Sequence, residues 1–242
     1  MWRVRVVLNI LVMYFLWSAI LPVNKTLFGY SQSLMLTYIF ATSLIAPLVL
    51  ASRSSAVGDE IKSGDLSNFL LRPINYFYYW FAKDAGDKAM NVLFSVVELT
   101  ILFIFLRPPI FLQTNLLFLF LSLIATLSAV IIYFYLNFLI GLCGFWISET
   151  WPLRFLFIII FIQFFSGGLF PLDILPKPIY TIFQMLPFTY LQFFPIKIYL
   201  GQLSMQNIAF GLSISFLWVI VLYYFTNFVW KKGLQVYTAQ GR

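Results

Sequence analysis

The chain of 242 residues is too hydrophobic for a soluble protein, because 62% of its residues are hydrophobic, 21% are aromatic and only 10% are charged. Soluble domains carry about 25% charged residues. The composition therefore excludes a soluble catalytic domain and predicts an all-α integral membrane protein, with residues 1–242 forming a single transmembrane domain.

Apolar runs of near-spanning length recur along the chain, and none has the alternating polar pattern of a membrane β-barrel. A spanning helix needs about 20 residues, with a range of about 17–25; helix tilt accommodates the short third run and the long fourth run. Arg3 and Arg5 precede the first run as in a signal peptide, but no small-residue cleavage site follows, so we expect an uncleaved first helix. We predict six transmembrane helices, at about residues 6–23, 34–51, 91–106, 115–140, 153–170 and 208–230.

The distribution of basic residues predicts the orientation. With a cytoplasmic N-terminus and six alternating spans, eleven of the 15 Lys and Arg residues lie inside, and only Lys25, Arg107, Lys177 and Lys197 lie outside. This bias follows the positive-inside rule, so we expect both termini in the cytoplasm. The net charge of +7 is then explained by orientation, and no nucleic-acid partner is predicted.

The loop over residues 53–90, between the second and third spans, contains ten of the 23 charged residues. Gly58, Gly64 and Pro73 divide it into short pieces, and Asp65 suits the cap position of the second piece. The aromatic run that follows Pro73 suits the membrane–water boundary, which predicts an interfacial helix leading into the third span. The loop is either a docking site or a solvated connector.

Read as one bent helix, the charged loop is amphipathic. Its apolar side comprises Ile61, Leu66, Phe69 and Leu70. Its polar side, available to solvent or to a partner, comprises Glu60, Lys62, Asn68 and Arg72.

The connection over residues 171–207, between the fifth and sixth spans, contains five prolines and is still strongly apolar. Gly167, Gly168 and Pro171 end the fifth helix. The pieces that follow are too short to span, so we predict a re-entrant or interfacial external hairpin. Irregular backbone at membrane depth is tolerated only where protein or water satisfies it, which favours a lid over a pathway. The alternative is an apolar loop lying on the bilayer.

Prolines divide this hairpin into two pieces. Pro178 suits the first turn of a short helix over residues 179–186, which Pro187 ends. We expect Pro195 to interrupt the second piece, over residues 188–200.

Ionisable residues inside a membrane span are costly and usually functional. Glu98 lies near the middle of the third run. Two interpretations remain open: Glu98 contacts a cationic substrate in a pathway, or it forms a hydrogen bond between helices with Asn137 or Gln163.

Other functional classes have little support in the sequence. The chain has no histidine, which excludes a Ser–His dyad, an H-E-x-x-H zinc site and a haem histidine ligand. The carboxylates Glu98, Glu149 and Asp173 fall at different depths and do not converge on one site. We therefore predict neither an enzyme nor a metal site. A channel or scaffold subunit remains the alternative, although such a subunit does not need a docking loop.

The charged loop resembles a known family signature. Glu60, Gly64-Asp65-Leu66, Leu70-Leu71 and Pro73 are spaced as in the E-x3-G-[TD]-L-x3-LL-x-P motif of ABC-2 type transporter permeases. In that family the segment forms the coupling helix between the second and third spans. Asp59 precedes Glu60 here, where many members carry a basic residue.

Three further segments resemble the same family in the same order, so the resemblance covers essentially the whole chain. Residues 165–176 are similar to its Gly- and Pro-containing break after the fifth span. Residues 186–195 resemble its re-entrant external hairpin, and residues 230–241 resemble its C-terminal ending.

The resemblance implies a permease that pairs with a second permease, identical or related, each binding a cytoplasmic ABC ATPase in the bacterial inner membrane. ATP-driven closure of the ATPase dimer would move the coupling helices and switch the path between its inward-open and outward-open forms. The chain has no G-x4-G-K-[ST] phosphate loop, so ATP and Mg²⁺ would bind the ATPase and no cofactor would bind this chain. Such permeases usually export hydrophobic or cationic small molecules, lipids or glycans.

The candidate site residues form three groups. The implied ATPase-docking residues are Glu60, Gly64, Asp65, Leu66, Phe69, Leu70, Arg72 and Pro73. The implied external gate residues are Ser166, Gly167, Gly168, Pro171, Pro176, Pro187 and Pro195. The candidate pathway residues are Glu98, Asn137 and Gln163.

Overall fold

The computed structural model describes residues 2–21 and 26–238, except for the side chains of Trp2 and Arg3, and these ranges contain helices and no β-strand. The predictions for the end of the first span, Lys25 and the tail beyond Thr238 lie outside the described residues. The α-helices are α1 Trp2–Ile20, α2 Gln32–Val49, α3 Val57–Ser63, α4 Leu66–Leu70, α5 Tyr76–Leu106, α6 Leu116–Leu142, α7 Trp151–Leu156, α8 Gln163–Phe165, α9 Lys177–Met185, α10 Phe193–Tyr199 and α11 Met205–Val236.

Some of the predicted spans are long and apolar enough in the structure to cross a membrane. Within the described residues these are the four stretches Gln32–Ser63, Tyr76–Leu106, Leu116–Phe145 and Met205–Val236. The helix at the fifth predicted span, Trp151–Phe165, is shorter, and the first predicted span corresponds to α1, in which Val4–Ile20 is apolar. The prediction of an all-helical membrane protein is confirmed, and the count of six spans stays a prediction.

The fifth predicted span contains an irregular helix. A π-helical segment, Phe157–Ile162, joins α7 to α8. The helix ends at Phe165 rather than near residue 170, because the backbone turns at Gly167, where φ is +79°. Only glycine adopts this left-handed conformation without strain.

Helix α5 begins earlier than the third predicted span. The side chain of Asn75 accepts hydrogen bonds from the backbone N–H groups of Phe77 and Tyr78, which fixes the N-terminus of the helix. The predicted interfacial helix and the third span are therefore one helix of 31 residues, Tyr76–Leu106.

Helix α2 runs between the two ends of the molecule that contain the candidate site residues. Its 18 residues span roughly 27 Å at 1.5 Å per residue, close to the thickness of a hydrocarbon core. Its N-terminal half packs against the segment over residues 166–204, which we call the hairpin. Its C-terminus leads into residues 50–75, which we call the loop. We refer to these as the hairpin end and the loop end.

Small residues allow α6 and α11 to pack closely. The Ser215 hydroxyl donates to the Ser128 hydroxyl at 2.8 Å, and Ala125 and Ala129 are buried beside them. A Cβ at Gly211 would lie 2.3 Å from the ring of Phe194 in α10. Such small-residue contacts are typical of helix pairs in membranes.

Candidate functional site

The loop consists of two short helices separated by a glycine. Helix α3 ends at Gly64, whose φ of +83° places it in the left-handed region that glycine adopts without strain. Helix α4 follows at Leu66, and Asp65 occupies its N-cap position as predicted, although the Asp65 side chain forms no capping hydrogen bond. Gly58 lies inside α3 rather than before it, so only Gly64 and Pro73 punctuate the loop.

Glycines bring α3 into direct contact with the end of α6. A Cβ at Gly58 would lie 3.0 Å from the carbonyl oxygen of Gly141, and a Cβ at Gly144 would lie 2.9 Å from Gly58 Cα. The backbones of the loop and α6 therefore touch, because no side chain separates them. Ile61 and Leu66 are buried in the apolar cluster below.

The C-terminal end of α11 holds the turn between α3 and α4. The Tyr237 hydroxyl donates to the carbonyl oxygen of Gly64 at 2.9 Å and accepts from the backbone N–H of Ser67 at 3.2 Å. A Cβ at Gly233 would lie 2.1 Å from the Phe145 ring, so α11 also fits tightly against the end of α6. Movement of the loop would therefore act directly on α11.

Polar and aromatic contacts connect the loop to α5. The Tyr76 hydroxyl donates to Glu60 Oε2, and the ring of Phe69 packs against Tyr76 and Tyr79, with centroid distances of 5.5 and 4.9 Å. Lys62 forms an ion pair at 2.6 Å with Glu149, just before α7. The loop is thus braced by its neighbours.

One face of the loop remains uncovered. Leu71 is 86% exposed, and Leu70, which the sequence placed on the apolar side of the loop, is 46% exposed. Arg72 lies beside them, with its guanidinium 5.5 Å from the centroid of the Phe69 ring. Two adjacent exposed leucines therefore form a small apolar patch on a braced, charged loop.

The predicted docking residues therefore divide by location. Gly64 and Leu66 are buried, and Glu60 and Phe69 are half-buried contacts within the molecule. The exposed members are Asp65, Leu70, Arg72 and Pro73.

A buried ion pair anchors the loop at the end of α2, a feature that the sequence reasoning missed. Lys88 Nζ lies 3.0 Å from Asp84 Oδ2, and both side chains are at most 5% exposed. Lys88 also donates to the carbonyl oxygens of Val49 and Ala51, and Asp84 Oδ1 accepts from the backbone N–H of Arg53. The i, i+4 spacing of Asp84 and Lys88 was the available signal.

At the other end, the hairpin is inserted into the bundle. Residues 193–198 of α10 are all buried, whereas α9 exposes Ile179, Ile182 and Met185. The predicted interruption at Pro195 is wrong, because Pro195 lies in the first turn of α10, where a missing N–H is tolerated. The chain is irregular before α10 instead.

Protein groups pair with the irregular backbone of the hairpin. The carbonyl oxygen of Ser166 accepts a hydrogen bond from the N–H of Phe193 at 3.0 Å. The Tyr38 hydroxyl donates to the carbonyl oxygen of Gly167 at 2.5 Å, and the Ser122 hydroxyl donates to the carbonyl oxygen of Pro195 at 2.9 Å. These bonds satisfy polar groups that the bilayer could not.

The other predicted gate residues lie in the same irregular segment or border it. A Cβ at Gly167 would lie 2.7 Å from the Tyr38 hydroxyl oxygen, and one at Gly168 would lie 2.8 Å from Gln192 Oε1. Pro171 and Pro187 are buried, and Pro176 is exposed just before α9.

A charged cluster joins the hairpin to the start of α2. Lys197 donates to Asp173 Oδ2 and Gln202 Oε1, both at 2.6 Å, and to the Tyr30 hydroxyl at 3.0 Å. Tyr30 donates to Asp173 Oδ1 at 3.0 Å. Asp173 is thus the ion-pair partner of Lys197. Burial raises the pKa of Tyr30, so Tyr30 remains a donor at physiological pH, and burial lowers the pKa of Lys197 against the opposing effect of Asp173.

The candidate pathway residues lie on three different helices, α5, α6 and α8. Asn137 is fully buried and donates from Nδ2 to Ser52 and Ser54 at the start of the loop, so it also anchors the loop. Glu98 is half-buried in α5, and Gln163 is exposed on α8. Among the described residues, no group of three His, Cys, Asp or Glu could hold a metal ion.

The apolar helices define a multi-pass membrane protein, and comparison with known proteins identifies its family. The family model described as ABC-2 family transporter protein matches residues 7–241, so the chain belongs to the ABC-2 transporter family. Membership implies a transport subunit, an ABC transporter permease, rather than an enzyme. No curated protein and no solved structure gives a significant match to the chain.

Proposed function

We propose that this chain is the transmembrane permease subunit of an ABC exporter, driven by a separate cytoplasmic ATPase that binds ATP and Mg²⁺. Family membership supports the transporter class. The charge bias of the sequence supports an inner-membrane orientation with the loop and both termini in the cytoplasm.

The exposed Leu70-Leu71-Arg72 face carries the proposal for the docking site. Two exposed leucines on the proposed aqueous side cost free energy unless a partner covers them. The bracing of the loop by α5, α6 and α11 gives it a rigid mechanical connection to the spans. A solvated connector would need neither the exposed leucines nor the bracing.

The hairpin is the proposed exit gate. Its backbone is paired with α2 and α6, and the Lys197 cluster lies where α2 begins. Movement of α2 by the docked ATPase would therefore reach the hairpin directly. The transported substrate is proposed only by class: a hydrophobic or cationic small molecule, a lipid or a glycan.

A second permease is the proposed partner inside the membrane. The helix over Trp151–Phe165 exposes most of its large side chains, including Trp151, Phe155, Ile159 and Phe161. At 15 residues, it is short for an isolated span. Packing against an identical or related chain would cover this helix and complete a path between the two permeases.

Co-purification tests the proposed function. The tagged chain is purified in mild detergent from its native membrane, and the proteins that co-purify are identified by mass spectrometry. We expect a stoichiometric ATPase with a Walker A motif, which Leu71→Asp should reduce at least tenfold. Leu112→Asp is the matched control, because Leu112 is 74% exposed in the connection between α5 and α6 at the hairpin end.

The structure also determines which variants are informative. Leu66→Asp would place a carboxylate in the fully buried Leu66 position and would disrupt the loop itself. Recovery of the intact chain without an ATPase would favour a channel or scaffold subunit instead. Equal loss of the ATPase in Leu71→Asp and Leu112→Asp would favour the same alternative.

A further inference from the structure

An apolar groove opens on the outside of the bundle at the loop end, between α6, the π-helical segment and α11. Its volume is about 580 Å³. Leu139, Cys143 and Phe157 form part of its wall, and Phe225 and Phe228 of α11 form the opposite side. No residue of the docking face or of the hairpin lines the groove, and Phe157 of its wall packs against Phe188 of the hairpin.

The basic side chain at the groove is Lys232, in the last turns of α11. Lys232 is exposed and forms no salt bridge with any residue that the structure describes. Lys231 is also exposed but does not line the groove. A cation with no acidic partner among the described residues therefore lies at the rim of a cavity with apolar walls.

We infer that this groove binds one anionic phospholipid from the leaflet on the loop side, with an acyl chain against the apolar wall and the head group at Lys232. An apolar cavity does not hold ordered water, and hydrocarbon is what surrounds a spanning helix. Anionic lipids are concentrated in the cytoplasmic leaflet, and basic pockets between spans on that side bind their head groups. The site rests on the proposed orientation and not on the identity of the transported substrate.

The walls of the groove give a bound lipid a structural role. Phe157 begins the π-helical segment, and Leu139 and Cys143 lie near the end of α6 that touches α3. An acyl chain in the groove would fill the gap between α6 and the irregular helix. The lipid would thus stabilise the spacing of the helices behind the docking loop.

Cys143 provides a native reporter, since it is the chain's only cysteine and lies in the groove wall. The purified, delipidated protein is treated with N-ethylmaleimide, and the alkylation rate is measured by intact mass in the presence of phosphatidylglycerol or phosphatidylcholine. We expect phosphatidylglycerol to protect Cys143 at lower concentration than phosphatidylcholine. Lys232→Gln should raise the phosphatidylglycerol concentration needed by about fivefold, and Lys231→Gln, which changes the charge equally, should have a smaller effect.

Native mass spectrometry provides a second readout, which does not depend on thiol reactivity. It should show phosphatidylglycerol bound to the wild-type chain and less of it bound to Lys232→Gln. Equal effects of the two lysine variants, or equal protection by both lipids, would overturn the proposal. Efficient bismaleimide cross-linking of Cys143 to Cys143 of a second copy would assign the groove to a protein interface instead.

Discussion

At the scale of single residues, a few polar side chains connect segments that are far apart in sequence. Tyr237 joins the end of α11 to Gly64 and Ser67 in the loop, and Lys197 joins the hairpin to Tyr30 and Asp173. The family resemblance included the C-terminal segment over residues 230–241 but assigned it no role. The hydrogen bonds of Tyr237 show that the C-terminal end of α11 is joined to the loop.

Tyr237→Phe should lower the free energy of unfolding by about 1–2 kcal/mol, because a typical hydrogen bond contributes about 1 kcal/mol and this hydroxyl makes two. Denaturant titration in detergent measures the change, and limited proteolysis should cut the loop faster. Tyr224→Phe is the matched control, since Tyr224 is 68% exposed. Equal behaviour of the two variants would show that Tyr237 does not hold the loop.

A double-mutant cycle tests the buried pair of the hairpin. Lys197→Met alone should lower the free energy of unfolding by about 3 kcal/mol, because it leaves the Asp173 charge without its ion-pair partner. In the Lys197→Met background, Asp173→Asn should lower the free energy of unfolding by less than it does in the wild type. The coupling energy between the two substitutions should be at least about 1 kcal/mol.

The surface pair Lys62–Glu149, with side chains 40% and 70% exposed, is the control and should couple by less than about 0.5 kcal/mol. A coupling at Lys197–Asp173 no larger than this would contradict the view that the pair holds the hairpin to α2.

At the scale of elements, local sequence signals predicted most of the long helices and many helix ends. The remaining helix ends depend on tertiary contacts. Apolar length predicted α2, α6 and α11, and Gly64 and Pro187 were predicted correctly as breaks. Pro195 does not interrupt its helix, because its position in the first turn depends on where the chain enters α10.

Local sequence signals did not predict the contacts between segments that are distant in the chain. The ion pair of Lys197 with Asp173 and the contact of Gly58 with the end of α6 require the fold, because nothing in the local sequence states which partner each residue meets. The exposure of Leu70 likewise depends on how α4 is placed against α5.

The close contact of α3 with α6 leads to a glycine prediction. Gly144→Ala should destabilise the protein and loosen the loop, because the new Cβ would lie 2.9 Å from Gly58 Cα and one backbone must move. Gly86→Ala has nothing within 4 Å and lies inside α5, so it should stabilise by about 0.5–1 kcal/mol. Thermal unfolding of the two variants measures both effects, and a neutral Gly144→Ala would contradict the direct backbone contact.

At the scale of the whole molecule, α2 connects the loop end with the hairpin end over one membrane thickness. The Lys88–Asp84 pair and Asn137 fix its loop end, and Tyr30 and Tyr38 fix its hairpin end. In the proposed mechanism, force applied to the loop would therefore reach the hairpin through packed helices.

Cysteine accessibility tests the proposed orientation. In a Cys143→Ser background, Leu71→Cys and Thr238→Cys should resist a membrane-impermeant maleimide in intact cells, and Leu112→Cys should react. Permeabilised cells provide the control, in which all three variants should react. Labelling of Leu71→Cys in intact cells would show that the loop lies outside the cell, and it would exclude a cytoplasmic ATPase at this face.

The most direct test of the central claim, that the exposed leucine face docks an ATPase, is site-specific photocross-linking. A photoreactive amino acid is placed at Leu71 or, as the control, at Leu112, and cells expressing each variant are irradiated. The account predicts an adduct at Leu71 with a protein that contains a Walker A motif, and none at Leu112. Absence of this adduct at Leu71, or its equal formation at both positions, would contradict the account.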